Sequence, residues 1–276
     1  MFSKWMHRAR HSDKKLSMPW LRLMFDKYDI KPNLYIKKRE LLKHYRGTDI
    51  PLIGHVHVPK TGGTYTSSLQ NVLPHINFSH VLVRNDRSDK YCPVGLTPIS
   101  PKKVNGFFLF SNVRNPLTFL ISYYHHVKGF VEYENPNHWD YEYAQKGFDY
   151  LVKIVMNRTD KWPGRKFLFP QLFDQEGICI IDRINRTETL DGDLKSLCKE
   201  FGLEFKSKER KRVAPKKKTP KEYYSNVLYD EVVSVYSREM QMFGYEGYDL
   251  QPNEHQSKND FILLYDYVRD EFIEKS

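Results

Sequence analysis

Pro51-Leu52-Ile53-Gly54-His55-Val56-His57-Val58 is a short run, rich in β-branched residues and bounded by turn formers. Such a run reads as a buried strand. It runs straight into Pro59-Lys60-Thr61-Gly62-Gly63-Thr64, a glycine-containing loop, and then into Tyr65–Leu73, where Leu69, Val72 and Leu73 recur at helical spacing before Pro74. The same order of strand, breaker and helix returns later. Phe107-Phe108-Leu109-Phe110-Ser111-Asn112-Val113 reads as a strand covered on both faces, as in a parallel sheet. Arg114-Asn115-Pro116 breaks it, and proline suits the first position of the next helix, whose apolar stripe is Leu117, Leu120, Ile121 and Tyr124. Two such units in one chain restrict the fold to an α/β class: a three-layer arrangement with a mainly parallel sheet between helices.

Further elements fit that plan. His80-Val81-Leu82-Val83 is a weaker strand, and Gly177-Ile178-Cys179-Ile180-Ile181 reads as another buried one. Helices are expected over Tyr143–Asn157, Leu190–Phe201 and Lys221–Phe243. A chain of 276 residues with 40% apolar and 14% aromatic side chains can bury such a core without staples. Its three cysteines, Cys92, Cys179 and Cys198, offer neither a disulfide framework nor a zinc ligand set. No apolar run approaches the ~20 residues that span a bilayer, and Met1–Arg8 has no apolar h-region. The expectation is a soluble, cytoplasmic protein without a bound metal.

Charge divides the chain further. The net charge is +10, and residues 1–46 hold thirteen Lys/Arg against four Asp/Glu. Lys206–Lys221 holds nine basic residues with only Glu209 opposing them, whereas the stretch from Asp249 onward has seven acids and three bases. We therefore divide the chain into a basic N-terminal extension (1–50), a central α/β domain (51–247) and an acidic C-terminal segment (248–276). A basic surface draws anions such as nucleic acid, anionic membranes, acidic glycans or a phosphorylated small molecule. A merely solvated surface accounts for the same composition.

The loop Pro59–Thr64 narrows these options. Gly62 and Gly63 let backbone N–H groups approach an anion, and the helix that follows turns its free N–H groups and positive dipole end to the same point. Lys60 adds a full charge, and Thr61 and Thr64 add hydroxyls. In nucleoside-triphosphate loops the lysine follows the glycines. Here it precedes them, which disfavours an ATPase or kinase. Arg114 offers a charged fork at the end of its strand, and Ser122 lies two helical turns beyond it.

These two elements resemble the sulfotransferases that use 3′-phosphoadenosine 5′-phosphosulfate (PAPS). Val58-Pro59-Lys60-Thr61-Gly62-Gly63-Thr64 is similar to that family's 5′-phosphosulfate loop. Asn112-Val113-Arg114-Asn115-Pro116, with Ser122 eight residues after Arg114, is similar to its 3′-phosphate element. Weaker likeness runs from Asp182-Arg183-Ile184-Asn185 through Leu194, and from Val235-Tyr236 to Phe243-Gly244-Tyr245. The resemblance implies a P-loop-like sulfotransferase fold with PAPS as co-substrate. It assigns Lys60, Thr61, Gly62, Gly63, Thr64 and Tyr65 to the 5′ end, and Arg114 and Ser122 to the 3′-phosphate. Arg210, Lys211 and Arg212 would lie on a loop closing over that phosphate, with Arg212 named as a cofactor contact. Many relatives carry a second arginine where this chain has Thr118-Phe119.

The implied chemistry is sulfuryl transfer to a hydroxyl, with Lys60 at the leaving phosphate. The catalytic base is open among several groups. His80 comes first, because relatives place a Glu or His in that neighbourhood. His55, His57, His125, His126, Glu132, Glu134 and Asp140 are the alternatives. Gly129–Tyr143, rich in aromatic, amide and acidic side chains, suits a sugar, so a carbohydrate acceptor is expected; a self-packed surface loop would look the same. Two other classes stay open. One is an anion-binding module without transferase activity; the other is a basic nucleic-acid-binding protein, although no recognition-helix, RNA-binding-sheet or zinc-finger pattern is present.

Overall fold

The first strand, β1 (Leu52–Val56), pairs on both sides, and that single fact organises the domain. The structure is a computed structural model that describes residues 52–78, 107–129, 138–158, 162–164, 168–173, 179–207 and 219–250. Strand β2 is Ile76–Phe78, β3 is Phe107–Val113 and β4 is Arg183–Arg186. They form a four-stranded sheet in the order β2-β1-β3-β4. All neighbours are parallel, with Leu52 opposite Phe107, His55 opposite Phe110 and Phe110 opposite Arg183. This is an α/β fold, as the repeated strand–breaker–helix pattern predicts.

The helices follow their sequence signals unevenly. Helix α1 is Gly63–Ser68, shorter than the expected Tyr65–Leu73, and turns carry the chain on to Leu73, whose N–H donates to Leu69 O at 2.8 Å. Helix α2, Pro116–Lys128, starts as expected. Proline occupies its first turn, and the Asn115 Oδ1 cap accepts from Leu117 N at 2.9 Å. The helix expected over Tyr143–Asn157 is two: α3 (Tyr141–Gln145) and α4 (Phe148–Asn157), parted by Gly147 at φ +115°. Helix α5 is Leu190–Glu200. Lys221–Phe243 resolves into a 3₁₀ turn at Pro220–Glu222, α6 (Asn226–Val235) and α7 (Ser237–Met242). The last two part at Tyr236, which is fully buried and donates its hydroxyl to Gly164 O at 3.0 Å. A short antiparallel hairpin, β5 (Tyr245–Glu246) and β6 (Asp249–Leu250), follows.

One expected strand moves. Of the apolar run Gly177–Ile181, Gly177 and Ile178 lie outside the described residues, the described Cys179–Ile181 contribute only an isolated bridge, Cys179 with Phe173, and the ladder begins at Arg183. Asp182 fixes the offset: its N–H donates to Leu109 O, and its carboxylate accepts from Leu109 N, both at 2.8 Å. Ile180 and Ile181 are buried as core, so hydrophobicity reported burial there and not pairing. The expected strand His80–Val83, residues 1–51 and most of the acidic segment lie outside the described residues.

One sheet face is packed by α1 and α5, through Ile53, Phe110, Tyr65, Leu69, Leu73, Leu190, Leu194 and Leu197. A buried polar row crosses this face: Asn112 Nδ2 donates to Thr66 Oγ1 at 2.8 Å, and Asn185 Nδ2 donates to Asn112 Oδ1 at 3.2 Å. Neutral amides and a hydroxyl can satisfy one another there without the desolvation cost of a charge. Elsewhere a buried ion pair fastens the start of α3 to the end of α4. Asp140, 1% exposed, takes a bidentate fork from Arg158 at 2.6 and 2.8 Å and the Tyr123 hydroxyl at 2.6 Å. Removing one partner of such a pair strands the other charge, at a cost of about 3–5 kcal/mol. Asp140→Ala is therefore expected to lower the unfolding free energy by about that amount in denaturant titration, whereas an exposed change such as Glu142→Ala should cost under ~0.5 kcal/mol.

Candidate active site

Strands β1 and β3 are neighbours whose onward connections leave in opposite directions, β1 to β2 and β3 toward β4. The crevice outside the carboxyl ends of such a pair is where open α/β sheets bind ligands. Both segments singled out by sequence emerge there.

From β1 the chain passes through Pro59 and Lys60 into the glycine loop. Lys60 has φ +69° and Gly62 φ +87°, so the loop is built from left-handed backbone at two positions. Thr61 is fully buried, and its hydroxyl donates back to Val58 O at 2.8 Å. It therefore locks the loop with its side chain. Thr64 is exposed and Lys60 half-buried. Tyr65 is placed in the core between α1 and α5, where its hydroxyl donates to Asp191 and lies 3.4 Å from Ser207 Oγ.

The two glycines are required for different reasons. A Cβ on Gly62 would lie 2.6 Å from Leu190 Cδ2 of α5, and that residue also caps α1 in the left-handed region. A Cβ on Gly63 would lie 2.1 Å from His57 Nε2. The imidazole of His57 thus occupies the space under the first residue of α1. Sequence reading explained Gly63 by anion approach alone and missed this contact.

From β3 the chain delivers Arg114, which is half-buried. Its Nη1 donates to Lys60 O at 3.2 Å and its Nε to Thr118 Oγ1 at 3.0 Å. The two motifs, 54 residues apart in sequence, are joined by this guanidinium. Burial pulls the Arg114 pKa down, while the charges of Glu188 and Tyr245 push it up. Thr118 is thus the Arg114 partner, and Phe119 is fully buried core. Ser122 is half-buried one helical turn beyond Thr118, so residues 114, 118 and 122 recur at a spacing of four. The Arg114–Ser122 spacing was legible in the sequence, and the place of Thr118 between them was not.

Glu188 was not. It follows β4, and its Oε1 accepts from Asn115 N at 3.1 Å while its Oε2 accepts from the Tyr245 hydroxyl at 2.9 Å. Asn115 Nδ2 also donates to Gly247 O at 2.7 Å, tying the Arg-Asn-Pro turn to the C-terminal hairpin. Burial, with Glu188 alongside, holds the Tyr245 phenol well above its ordinary pKa.

The candidate bases separate by environment. His55 is fully buried and stacked on Phe110 with ring centroids 4.8 Å apart. His125 Nε2 lies 2.7 Å from the Tyr223 hydroxyl, His126 meets the edge of His138, and Asp140 is held in its ion pair. His80, Glu132, Glu134, Arg210, Lys211 and Arg212 lie outside the described residues. Among the described residues no group of three or more His, Cys, Asp or Glu side chains is arranged to hold a metal ion, and no helix is long and apolar enough to cross a membrane.

A further buried histidine, His75, was not singled out in the sequence. Its Nδ1 donates to Leu73 O at 2.6 Å, and burial lowers its pKa from 6.5 to about 4. The folded protein keeps His75 neutral down to about pH 4, whereas the unfolded chain protonates it near 6.5. Stability is thus lost as pH falls from 6.5 to about 4, by at most ~3 kcal/mol from this group. His75→Asn should flatten the fall in unfolding free energy measured by denaturant titration across that window. For the loop, Gly63→Ala is expected to cost about 1–3 kcal/mol, the usual penalty of overpacking. The double variant Gly63→Ala/His57→Ala should recover part of that loss in the same titration.

A search of curated proteins gives no match to this chain. The model of the sulfotransferase family, however, matches residues 44–246. That span takes in the whole sheet, the glycine loop, the Arg114 turn, Glu188 and the start of the C-terminal hairpin. The chain belongs to the sulfotransferase family.

Proposed function

We propose that this sulfotransferase uses PAPS as its donor and transfers the sulfuryl group to a hydroxyl of a carbohydrate. The observation that carries the donor is the Arg114 guanidinium on the Lys60 carbonyl, which sets two anion-binding elements side by side at one sheet edge. The resemblance of these two elements to the family's 5′-phosphosulfate loop and 3′-phosphate element supports a donor that carries phosphate at both its 5′ and 3′ ends. In this reading the architecture is the three-layer, P-loop-like one of the family, within residues 51–247.

The residues then divide the work. Backbone N–H groups of Thr61, Gly62, Gly63 and Thr64 bind the 5′-phosphosulfate oxygens, with Tyr65 anchoring the loop from behind through Asp191. Arg114 and Ser122 take the 3′-phosphate, and Arg212 closes over it. Lys60 meets the bridging oxygen. As the sulfur–oxygen bond to the 5′-phosphate breaks, negative charge grows on that oxygen, and a fixed ammonium there stabilises the transition state more than the ground state. The acceptor oxygen attacks sulfur in line and loses its proton to a general base, for which His80 is the proposed residue. The products are adenosine 3′,5′-bisphosphate (PAP) and a sulfate ester. A carbohydrate acceptor is favoured by Trp139, 48% exposed with its ring held 4.5 Å from that of His138, a surface of the kind on which sugar rings stack.

Calorimetric titration with PAP tests the donor. Arg114→Ala should weaken PAP at least tenfold, and Lys60→Ala should reduce turnover more than PAP affinity because its work is on the leaving oxygen. Wild-type protein that ignores PAP while binding ATP or a polyanion overturns the donor. PAP binding without turnover on any sugar of a broad panel would mark an anion-binding module instead.

A further inference from the structure

Arg114 can read a 3′-phosphate only if its fork is held at the sheet edge, and its own hydrogen bonds do not fix it alone. The Nη1 bond goes to the Lys60 carbonyl and the Nε bond to Thr118 Oγ1, a rotatable hydroxyl. That hydroxyl lies 3.2 Å from Asn115 O and 3.3 Å from Glu188 Oε1, so its proton is directed to this pair of acceptors. Directing the proton away turns a Thr118 lone pair toward Arg114. The same Glu188 oxygen accepts from Asn115 N at 3.1 Å, the backbone immediately after the arginine. The other oxygen accepts from Tyr245 at 2.9 Å. One carboxylate therefore spans the side-chain partner of Arg114, the turn that carries it, and the C-terminal hairpin.

This placement is unusual in one respect. A carboxylate beside a phosphate-binding arginine opposes the ligand by charge, since like charges raise the cost of bringing the anion in. A residue of that sign at that place needs an offsetting contribution. Preorganisation supplies one, because a charge-assisted fork binds phosphate well only when both its direction and its distance are fixed in advance.

We infer that Glu188 is a positioning residue for donor recognition: through Thr118, Asn115 and Tyr245 it holds the Arg114 fork in the orientation that selects a 3′-phosphate. The inference rests on the donor reading above. It goes beyond it in assigning 3′-phosphate selectivity to a carboxylate and to the C-terminal hairpin, neither of which contacts the nucleotide in this account.

The measurement is the ratio of dissociation constants for adenosine 5′-monophosphate and PAP, which differ only in the 3′-phosphate, with the thermal midpoint of each variant alongside. Wild type should prefer PAP. Glu188→Ala should cut that preference at least fivefold by weakening PAP, with adenosine 5′-monophosphate within twofold of wild type. Tyr245→Phe, which removes only the hydroxyl, should cut it about twofold to threefold and keeps the test available if Glu188→Ala folds poorly. Glu188→Gln retains an oxygen for Thr118 and Asn115 and removes the negative charge, so its preference should equal or exceed that of wild type. The two Glu188 variants thus move apart. Equal weakening of both nucleotides in step with a lowered thermal midpoint would mean a purely structural role and overturns the inference. So would a raised preference in Glu188→Ala, which would mark simple repulsion, or a Glu188→Gln loss as large as that of Glu188→Ala. Wild type that does not distinguish the two nucleotides overturns the donor reading and this inference with it. Wild type that does, alongside an unchanged Glu188→Ala and Tyr245→Phe, overturns this inference alone.

Discussion

The parallel pairing of β1 with β3 is the constraint on which the rest depends. Leu52 to Val56 lie opposite Phe107 to Ser111 without a break in register. Parallel pairing brings both carboxyl ends to one edge of the sheet, so the loops that follow must open into the same crevice. An antiparallel arrangement of the same strands would have sent them to opposite ends. Once the edges coincide, Arg114 can reach the Lys60 carbonyl, and two separate stretches are joined.

The site is stiffened from beneath by polar contacts as well as by hydrophobic packing. The Asn185–Asn112–Thr66 row links β4 and β3 to α1 under the glycine loop. His57 packs against Gly63, and Leu190 of α5 closes on Gly62. Each contact limits how far the loop can move, which is what preorganised backbone donors require. On the Arg114 side the same work falls to Thr118, Asn115, Glu188 and Tyr245, drawn from three separate stretches of chain.

Histidine shows how local sequence can mislead about chemistry. The chain has 11 histidines, and several stand close to the loop. Burial removes two of the described ones, His55 and His75, from contention. His55 lies flat on Phe110, and His75 stays neutral because the protein interior disfavours its charged form. A titratable group serves catalysis only where a substrate can reach it, and accessibility is a property of the packed molecule.

The α/β class, the glycine loop, the Arg-Asn-Pro turn and the Arg114–Ser122 spacing are local patterns, and the sequence alone determined them. They follow from strand and helix periodicity, from the conformational freedom of glycine and from proline at a helix start, all of which act over a few residues. Tertiary structure decided the rest. It set the strand at Arg183–Arg186 and not at Cys179–Ile181, because Asp182 fixes the chain to Leu109 and hydrophobicity alone does not specify hydrogen bonding. It broke the helices at Gly147 and Tyr236, and it spent the hydroxyls of Thr61 and Tyr65 on the protein itself. It also brought Glu188 and Tyr245 to Arg114 across 74 and 131 positions of chain, respectively. Contacts at that separation leave no periodic trace in sequence, because they are fixed by which surfaces the core brings together.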